Sequence, residues 1–334
     1  MESGFTVSAI VSTYNAEKFI SGCLQDLIEQ TLYQRGELEI IVIDSASPQD
    51  EKSIIKQFQE NYSNIIYKRT QDRETIYAAW NRAIKLSHGR YITNANTDDR
   101  RRSDALAVMA DHLDKHSDIS LVYADQLITS IANETFAKTE TQQQWDWPPY
   151  SYEELKKRCC VGSQPMWRRS LHDTYDYFRS ELHCAGDYEF WLRIASQGEK
   201  LTLIPQVLGL YYRNPEGIEH SIPRRASVES KKIREEYGIS IATKKKQKAS
   251  KPLKKTNSLL IPLSSLVIGV SLWVASIILN NQAFEVRASL MLLSFALILG
   301  MVGYWGKISP KILRIVRIII AALGLLVLLP YLLR

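Results

Sequence analysis

The fold class predicted from the 334-residue sequence is α/β: a mostly parallel sheet with helices on both faces, followed by C-terminal transmembrane α-helices. Three observations predict it. Short apolar runs alternate with helical patterns from residue 5 onwards, the rhythm of a sheet covered on both sides. Polar residues recur where those runs stop, as they do along the rim where ligands meet an open sheet. Beyond residue 258 come long apolar stretches of bilayer-spanning length.

The elements follow in order. Phe5 to Ser12 reads as a buried strand; Thr13-Tyr14-Asn15 then opens a helix, with Asn15 as N-cap and Phe19, Ile20, Cys23, Leu24, Leu27 and Ile28 on its apolar face. Glu39 to Ile43 is a second strand ending at Asp44. Ser47 as N-cap, Pro48 at the first helical position and the acids Asp50 and Glu51 mark the next helix start. Ile65 to Tyr67 is a third strand, and Glu74 to Ser87 a helix that Gly89 ends. The run after Gly89 closes in Asn96-Thr97-Asp98-Asp99. Ser103 to His116 is helical and Leu121 to Ala124 a strand.

Thr129 to Tyr150 is polar and ends in Trp145-Asp146-Trp147-Pro148-Pro149, a loop whose aromatics either form a sugar-stacking lid or pack a surface turn. Cys159 to Arg169 leads through Ser163-Gln164-Pro165-Met166-Trp167 into another helix start, where Gln164 and Trp167 are candidate acceptor contacts. Ala185-Gly186-Asp187 then opens a helix with Asp187 in its first turn.

The adjacent carboxylates Asp98 and Asp99 admit two readings. A strand end is a good place to hold a hard divalent cation such as Mg2+ or Mn2+ against a diphosphate. The pair equally suits an acidic turn capping the next helix, with Asp99 or Ser103 as N-cap. Polar groups at three successive strand ends, Ser12 and Tyr14, Asp44, then Asp98, favour the cation. So does the lack of any glycine loop of the dinucleotide or P-loop kind, which leaves phosphate recognition to a metal. Asp187 suits a general base, because partial burial raises a carboxylate towards working pH; taken alone, it reads instead as a partner for the helix dipole.

Composition bounds the remaining classes. Of 42 basic residues 13 lie beyond position 240, and of 36 acidic residues one does, which leaves 29 against 35 and a net −6 for residues 1–240. That sign lacks the footprint of a nucleic-acid binder, and no such partner is expected. The cysteines, Cys23, Cys159, Cys160 and Cys184, match no zinc or disulfide pattern, so a reducing compartment is expected. Residues 1–4 carry no basic region ahead of an apolar core, so no signal peptide is expected.

Residues 241–258 form a basic linker with seven lysines and no acid, suited to anionic lipid. Residues 259–334 form the expected membrane domain. Leu259 to Leu279 and Ala288 to Gly306 are two spans; Ile318 to Leu333 is a third if Arg314 and Arg317 snorkel, and otherwise lies along the surface. The lysines ahead of the first span put residues 1–240 in the cytosol by the positive-inside rule, as a multi-pass protein of the inner (plasma) membrane. The spans also offer a route to homo-oligomers.

Four stretches, Asp44 to Ser47, Glu74 to Ile84, Gly89 to Asp99 and Gly186 to Arg193, occur in an order and spacing by which the chain resembles the family 2 inverting glycosyltransferases of GT-A fold. The resemblance covers about residues 5 to 225 and implies a Rossmann-like GT-A domain. It implies that Ser12, Tyr14 and Asp44 embrace uracil and ribose of a UDP-sugar, that Arg73 reaches the pyrophosphate, and that Asn96 to Asp98 stands for the Asp-x-Asp motif. Asp98, with Asp99 beside it, is then the metal ligand. Asp187 deprotonates the acceptor, and His220 lies where some members close a loop on the diphosphate. Asn96 departs from the family pattern and weakens the expected metal or ribose contact. The implied function is transfer to a lipid-linked saccharide in polysaccharide or glycolipid assembly. Direct transfer to polyprenyl phosphate is a rival, although such enzymes usually carry Asp-Ala-Asp-Leu-Gln at the metal site. No Gln-x-x-Arg-Trp follows Asp187, which disfavours a processive synthase. A non-catalytic membrane scaffold retaining the fold is the alternative from another class.

Overall fold

A computed structural model of the chain describes residues 4–217 and 223–239, all within one compact unit that ends at Thr243. The basic linker, the three hydrophobic segments and His220 lie outside the described residues. Among the described residues no helix is long and apolar enough to cross a membrane.

The chain runs β1 (Val7–Thr13), α1 (Glu17–Ile28), α2 (Thr31–Gln34), β2 (Leu38–Asp44), α3 (Glu51–Asn61), β3 (Ile65–Arg69), α4 (Ile76–Leu86), β4 (Tyr91–Asn94) and β5 (Arg100–Arg101). It continues through α5 (Ala105–Lys115), β6 (Ile119–Thr129), β7 (Gln144–Trp145), α6 (Tyr152–Lys157), β8 (Met166–Arg168), α7 (Leu171–Tyr175), α8 (Gly186–Ser196), β9 (Lys200–Tyr212) and α9 (Pro223–Glu236).

The strands hydrogen-bond in the order β3-β2-β1-β4-β8-β6-β9-β5, with β7 added to β6. Period-two alternation splits the core between the two faces. Val7, Ala9 and Val11 of β1 and Leu38, Ile40 and Val42 of β2 pack with α1, α3 and α5. Ile10, Ile41 and Ile43 point the other way, towards α4, α8 and an aromatic cluster. Helices therefore cover both faces, as the sequence predicts. The expectation of a mostly parallel sheet needs correction: among the described residues four strand pairings are parallel and four antiparallel. Strand β8 causes the change by entering antiparallel between β4 and β6.

Two helix starts also differ. Asn15 is not an N-cap but a left-handed residue with φ 53°, and α1 begins after Ala16 without a side-chain cap. Asp50, rather than Ser47, caps α3 by accepting from the Ser53 N–H. Neither Asp99 nor Ser103 caps α5, whose N-cap position is Asp104.

The site follows from topology. Chain order reverses between β1 and β4, so the loops leaving these neighbours diverge and open a crevice at their carboxyl ends.

Candidate active site

A cavity of about 930 Å³ fills that crevice. Its first wall is the β1 loop, which carries Ser12 and Tyr14. The loop is held against the β2 loop by Glu51, a fully buried carboxylate. Glu51 Oε1 accepts from the Ala16 N–H at 2.7 Å and from Ser47 Oγ at 2.8 Å, while Ser47 Oγ accepts from the Asn15 N–H at 3.0 Å. These bonds hold Asn15 and Ala46 in the left-handed region, which side chains other than glycine enter only at a cost of about 1 kcal/mol or more. Ser47, expected to cap a helix, serves the pocket loops instead.

Arg73 supplies positive charge at the rim, its guanidinium 4.0 Å above the Tyr14 ring. The opposite wall is the loop after β4. Asn96, Asp98 and Asp99 all line the cavity. Asp98 is half-buried, and its Oδ2 accepts from Asn214 Nδ2 at 2.8 Å. Asp99 turns inward. Its Oδ1 accepts from the Tyr212 N–H at 3.1 Å, and its Oδ2 from Asn96 Nδ2 at 3.0 Å and Ser163 Oγ at 3.1 Å. Burial first, and the neighbouring Asp98 charge second, push its carboxyl up to about 7. The two acids therefore differ in role. Asp98 keeps the more exposed place on the wall, whereas buried Asp99 ties the end of β9 and the turn at Ser163 to the loop after β4.

Four expected residues stand elsewhere. Asp44 is fully buried behind the wall, bound by Arg69, by Tyr67 Oη at 2.7 Å and by the Ser47 N–H at 2.8 Å; the adjacent Ser45 lines the cavity in its place. Gln164 and Trp167, the expected acceptor contacts, are buried and do not line the cavity. Trp167 is wholly inside the aromatic core, and buried Gln164 donates to the Arg100 carbonyl. Trp167 lies on β8, a strand packed on both faces, and Gln164 leads into it. Asp187 is half-buried beside the cavity rather than in its lining. Its Oδ1 accepts from Tyr77 Oη at 3.0 Å and from the Tyr188 N–H at 2.8 Å. Tyr77 is flanked by Ile76, and Asp187 follows His183 by four residues; Ile76 and His183 are both on the cavity wall.

Sequence reasoning missed the groups that organise this side. Glu229 of α9 accepts from the backbone N–H groups of His183, Cys184 and Ala185, at 2.8 Å for Cys184, just before α8. Burial alone would raise Glu229, but those donors and Arg225 outweigh it and leave the carboxyl below its usual range. Arg225 pairs with Glu229 and reaches the cavity. Asn214 and Arg225 carry no local pattern by which a single sequence could single them out.

The arrangement fits a cation shared with a ligand. Asp98 and the Asn96 amide supply hard oxygen donors on an open wall, the type Mg2+ and Mn2+ accept, and these ions complete their shells from phosphates. Among the described residues no three acidic, histidine or cysteine side chains cluster to cage a metal unaided. Arg73 and Arg225 add positive charge for a phosphate at the same rim.

The sequence pattern of glycosyl transferase family 2 matches residues 8–174, half of the chain and the part that carries the loops after β1, β2 and β4. The chain belongs to glycosyl transferase family 2. This glycosyltransferase is 25% identical over 192 residues to chondroitin synthase of Escherichia coli, covering 58% of this chain and 27% of the synthase, so it spans about a quarter of that relative. Its fold is similar to S. aureus TarS residues 1–349 in complex with UDP-GlcNAc, with TM-score 0.54 and 19% identity over 65% of this chain and 61% of that one. It is similar also to the mannosyltransferase PcManGT from Pyrobaculum calidifontis in complex with GDP-Man and Mn2+, with TM-score 0.53 and 18% identity over 88% and 80% of the two chains.

Proposed function

We propose that this glycosyltransferase transfers a sugar, with inversion, from a UDP-sugar to a saccharide held at the membrane, in the assembly of a polysaccharide or glycolipid. The observation that carries the reading is Asp98 on one wall of a cavity whose other wall bears Tyr14 and Arg73, across the switch point of the sheet. Structural neighbours solved with UDP-GlcNAc and with GDP-Man and Mn2+ support a nucleotide-sugar and a divalent cation, and the likeness to a chondroitin synthase supports polysaccharide assembly. The lysine-rich linker and apolar segments of the sequence support an inner-membrane enzyme with its catalytic domain in the cytosol, contact with anionic lipid, and association through its spans.

Ser12, Tyr14 and Ser45 would bound the nucleoside, and Arg73 would meet the diphosphate. Asp98, with Asn96, would hold Mg2+ or Mn2+, which when bound supplies neutralisation of charge on the leaving diphosphate. Tyr77 and the Tyr188 N–H orient the Asp187 carboxylate. Burial and the Asp187 charge hold the Tyr77 phenol well above its ordinary pKa, so it stays a donor. Asp187 takes the acceptor hydroxyl proton as that oxygen bonds to the anomeric carbon. The bond from that carbon to the diphosphate oxygen breaks on the opposite face, and a UDP-α-sugar gives a β-linkage.

The test is nucleoside-diphosphate release from a panel of UDP-sugars, with GDP-mannose alongside and membrane extract as acceptor. Asp187→Asn should lower kcat by about 10²- to 10⁴-fold and leave UDP binding intact. Asp98→Ala should abolish the cation dependence of UDP binding. Release from GDP-mannose alone would reassign the donor, release indifferent to chelator would remove the cation, and full activity in Asp187→Asn would remove the base.

A further inference from the structure

Beyond the cavity stands an aromatic pair that does not line it. Trp145 and Trp147 stack with ring centroids 4.7 Å apart and planes within 10°. Trp147 covers one face of the Trp145 indole, yet Trp145 keeps 39% of its surface exposed. Tyr211 abuts Trp145 edge-on at 6.3 Å and itself lines the cavity, so the pair adjoins the donor site without entering it. On the other side Trp147 lies against Gly162, where a Cβ would come within 2.9 Å of the indole nitrogen; Ser163, the next residue, bonds Asp99.

The segment is pinned. Strand β7 pairs Trp145 with Gln126, the Trp147 N–H donates to Asp125 Oδ1 at 2.8 Å, and Tyr123 Oη donates to the Pro148 carbonyl at 2.8 Å. A large aromatic held rigidly with one face in water leaves apolar surface that a flat apolar ligand face would bury. The flanking side chains decide what that ligand is. Gln143, two residues before Trp145 and so on its face of the strand, is exposed, whereas Gln144 and Asp146 bond each other on the opposite face; residues 139–155 contain no lysine or arginine. An exposed amide suits hydroxyl groups, whereas a phosphate or an anionic headgroup would find no cation on this segment.

We propose that the exposed face of Trp145, backed by Trp147 and bordered by Tyr211, is a saccharide subsite that stacks a pyranose ring of the acceptor. The C–H face of the ring lies on the indole, and its equatorial hydroxyls meet Gln143, which shares the Trp145 face of the strand. The assignment of that sugar as acceptor rests on the transferase reading above; the stacking does not.

The test uses the full chain and saturation-transfer NMR with cellotetraose, chitotetraose and mannotetraose, and sorbitol as an acyclic control. At least one tetrasaccharide should receive saturation at the axial protons of one ring face, and sorbitol none. Trp145→Ala should weaken that binding tenfold or more and Trp145→Tyr less than threefold, with UDP affinity within twofold of wild type in both. Saturation of no tetrasaccharide, equal saturation of sorbitol, or unchanged affinity in Trp145→Ala overturns the subsite. Loss of vesicle binding in Trp145→Ala with sugar binding intact also overturns it, in favour of a lipid contact. Saccharide binding lost in Trp145→Ala by a protein that consumes no nucleotide-sugar would sink the transferase assignment alone.

Discussion

His172 is the residue whose protonation state the geometry fixes most firmly. It is 4% exposed; its Nε2 accepts from the Trp167 indole N–H at 2.9 Å and its Nδ1 faces the Asp176 carbonyl at 3.1 Å. The ring is therefore neutral with its proton on Nδ1, stacked on Phe190 and Tyr177. Burial lowers its pKa to about 4; Arg193 opposes protonation as well, while the Asp176 carbonyl and the charges of Asp173 and Asp176 favour it. The native value lies below the unfolded value of about 6.5, so the unfolded chain binds the proton first as pH falls. Stability from this group is complete above about 6.5 and is lost progressively down to about 4, by about 3 kcal/mol. Thermal unfolding from pH 7 to 4 should show that loss in wild type. His172→Phe should start about 1–3 kcal/mol lower, because the Trp167 N–H loses its acceptor, but stay flatter through the window. Parallel curves for the two proteins would show that the histidine does not titrate there.

Among elements, the contact of α4 with α8 decides the position of Asp187. Gly186 allows it: a Cβ there would fall 2.7 Å from ring carbons of Tyr77, which is buried and cannot swing away. Gly186→Ala should cost about 1–3 kcal/mol in urea unfolding through overpacking, and should lower kcat by displacing the tyrosine that orients Asp187. A drop in stability with kcat untouched would separate the helix contact from the chemistry. The sequence showed this helix, its glycine and its acid, and all six apolar residues of α1 named from periodicity are buried. It could not show Tyr77 as the partner, since 110 positions separate the two. Strand β9 was hidden for a local reason. Pro205 interrupts the run from Lys200 to Tyr212, and the pairing with β6 absorbs it in a register shift between Ile204 and Val207. Strand β5 was hidden because it consists of two buried arginines, Arg100 and Arg101, whose charges belong beneath the acidic loop and resemble no strand. Asp98 was legible from its strand end, whereas the inward turn of Asp99 depends on Ser163 and Tyr212, which only the folded sheet brings near.

For the whole molecule, charge is divided along the chain more sharply than its total of +6 suggests. Residues 1–240 carry −6, and the seven lysines at positions 244–255 bring residues 1–258 to +1. A negative body repels an anionic surface, while a contiguous run of lysines is attracted locally, by about 1 kcal/mol for each one near the lipid headgroups. The local term should prevail, because at about 0.15 M salt the body's charge is screened beyond about 8 Å. A fragment of residues 1–258 should therefore sediment with phosphatidylglycerol-containing vesicles at low salt and come off at about 0.5 M, where screening shortens the attraction further. A fragment of residues 1–243 should stay in the supernatant at every salt concentration. Both should bind UDP equally, since every described residue lining the cavity precedes position 226. Sedimentation of the shorter fragment would place the lipid contact on the catalytic unit, where Trp145 is the first residue to substitute. Retention of the longer one in the supernatant would leave attachment to the apolar segments beyond residue 258.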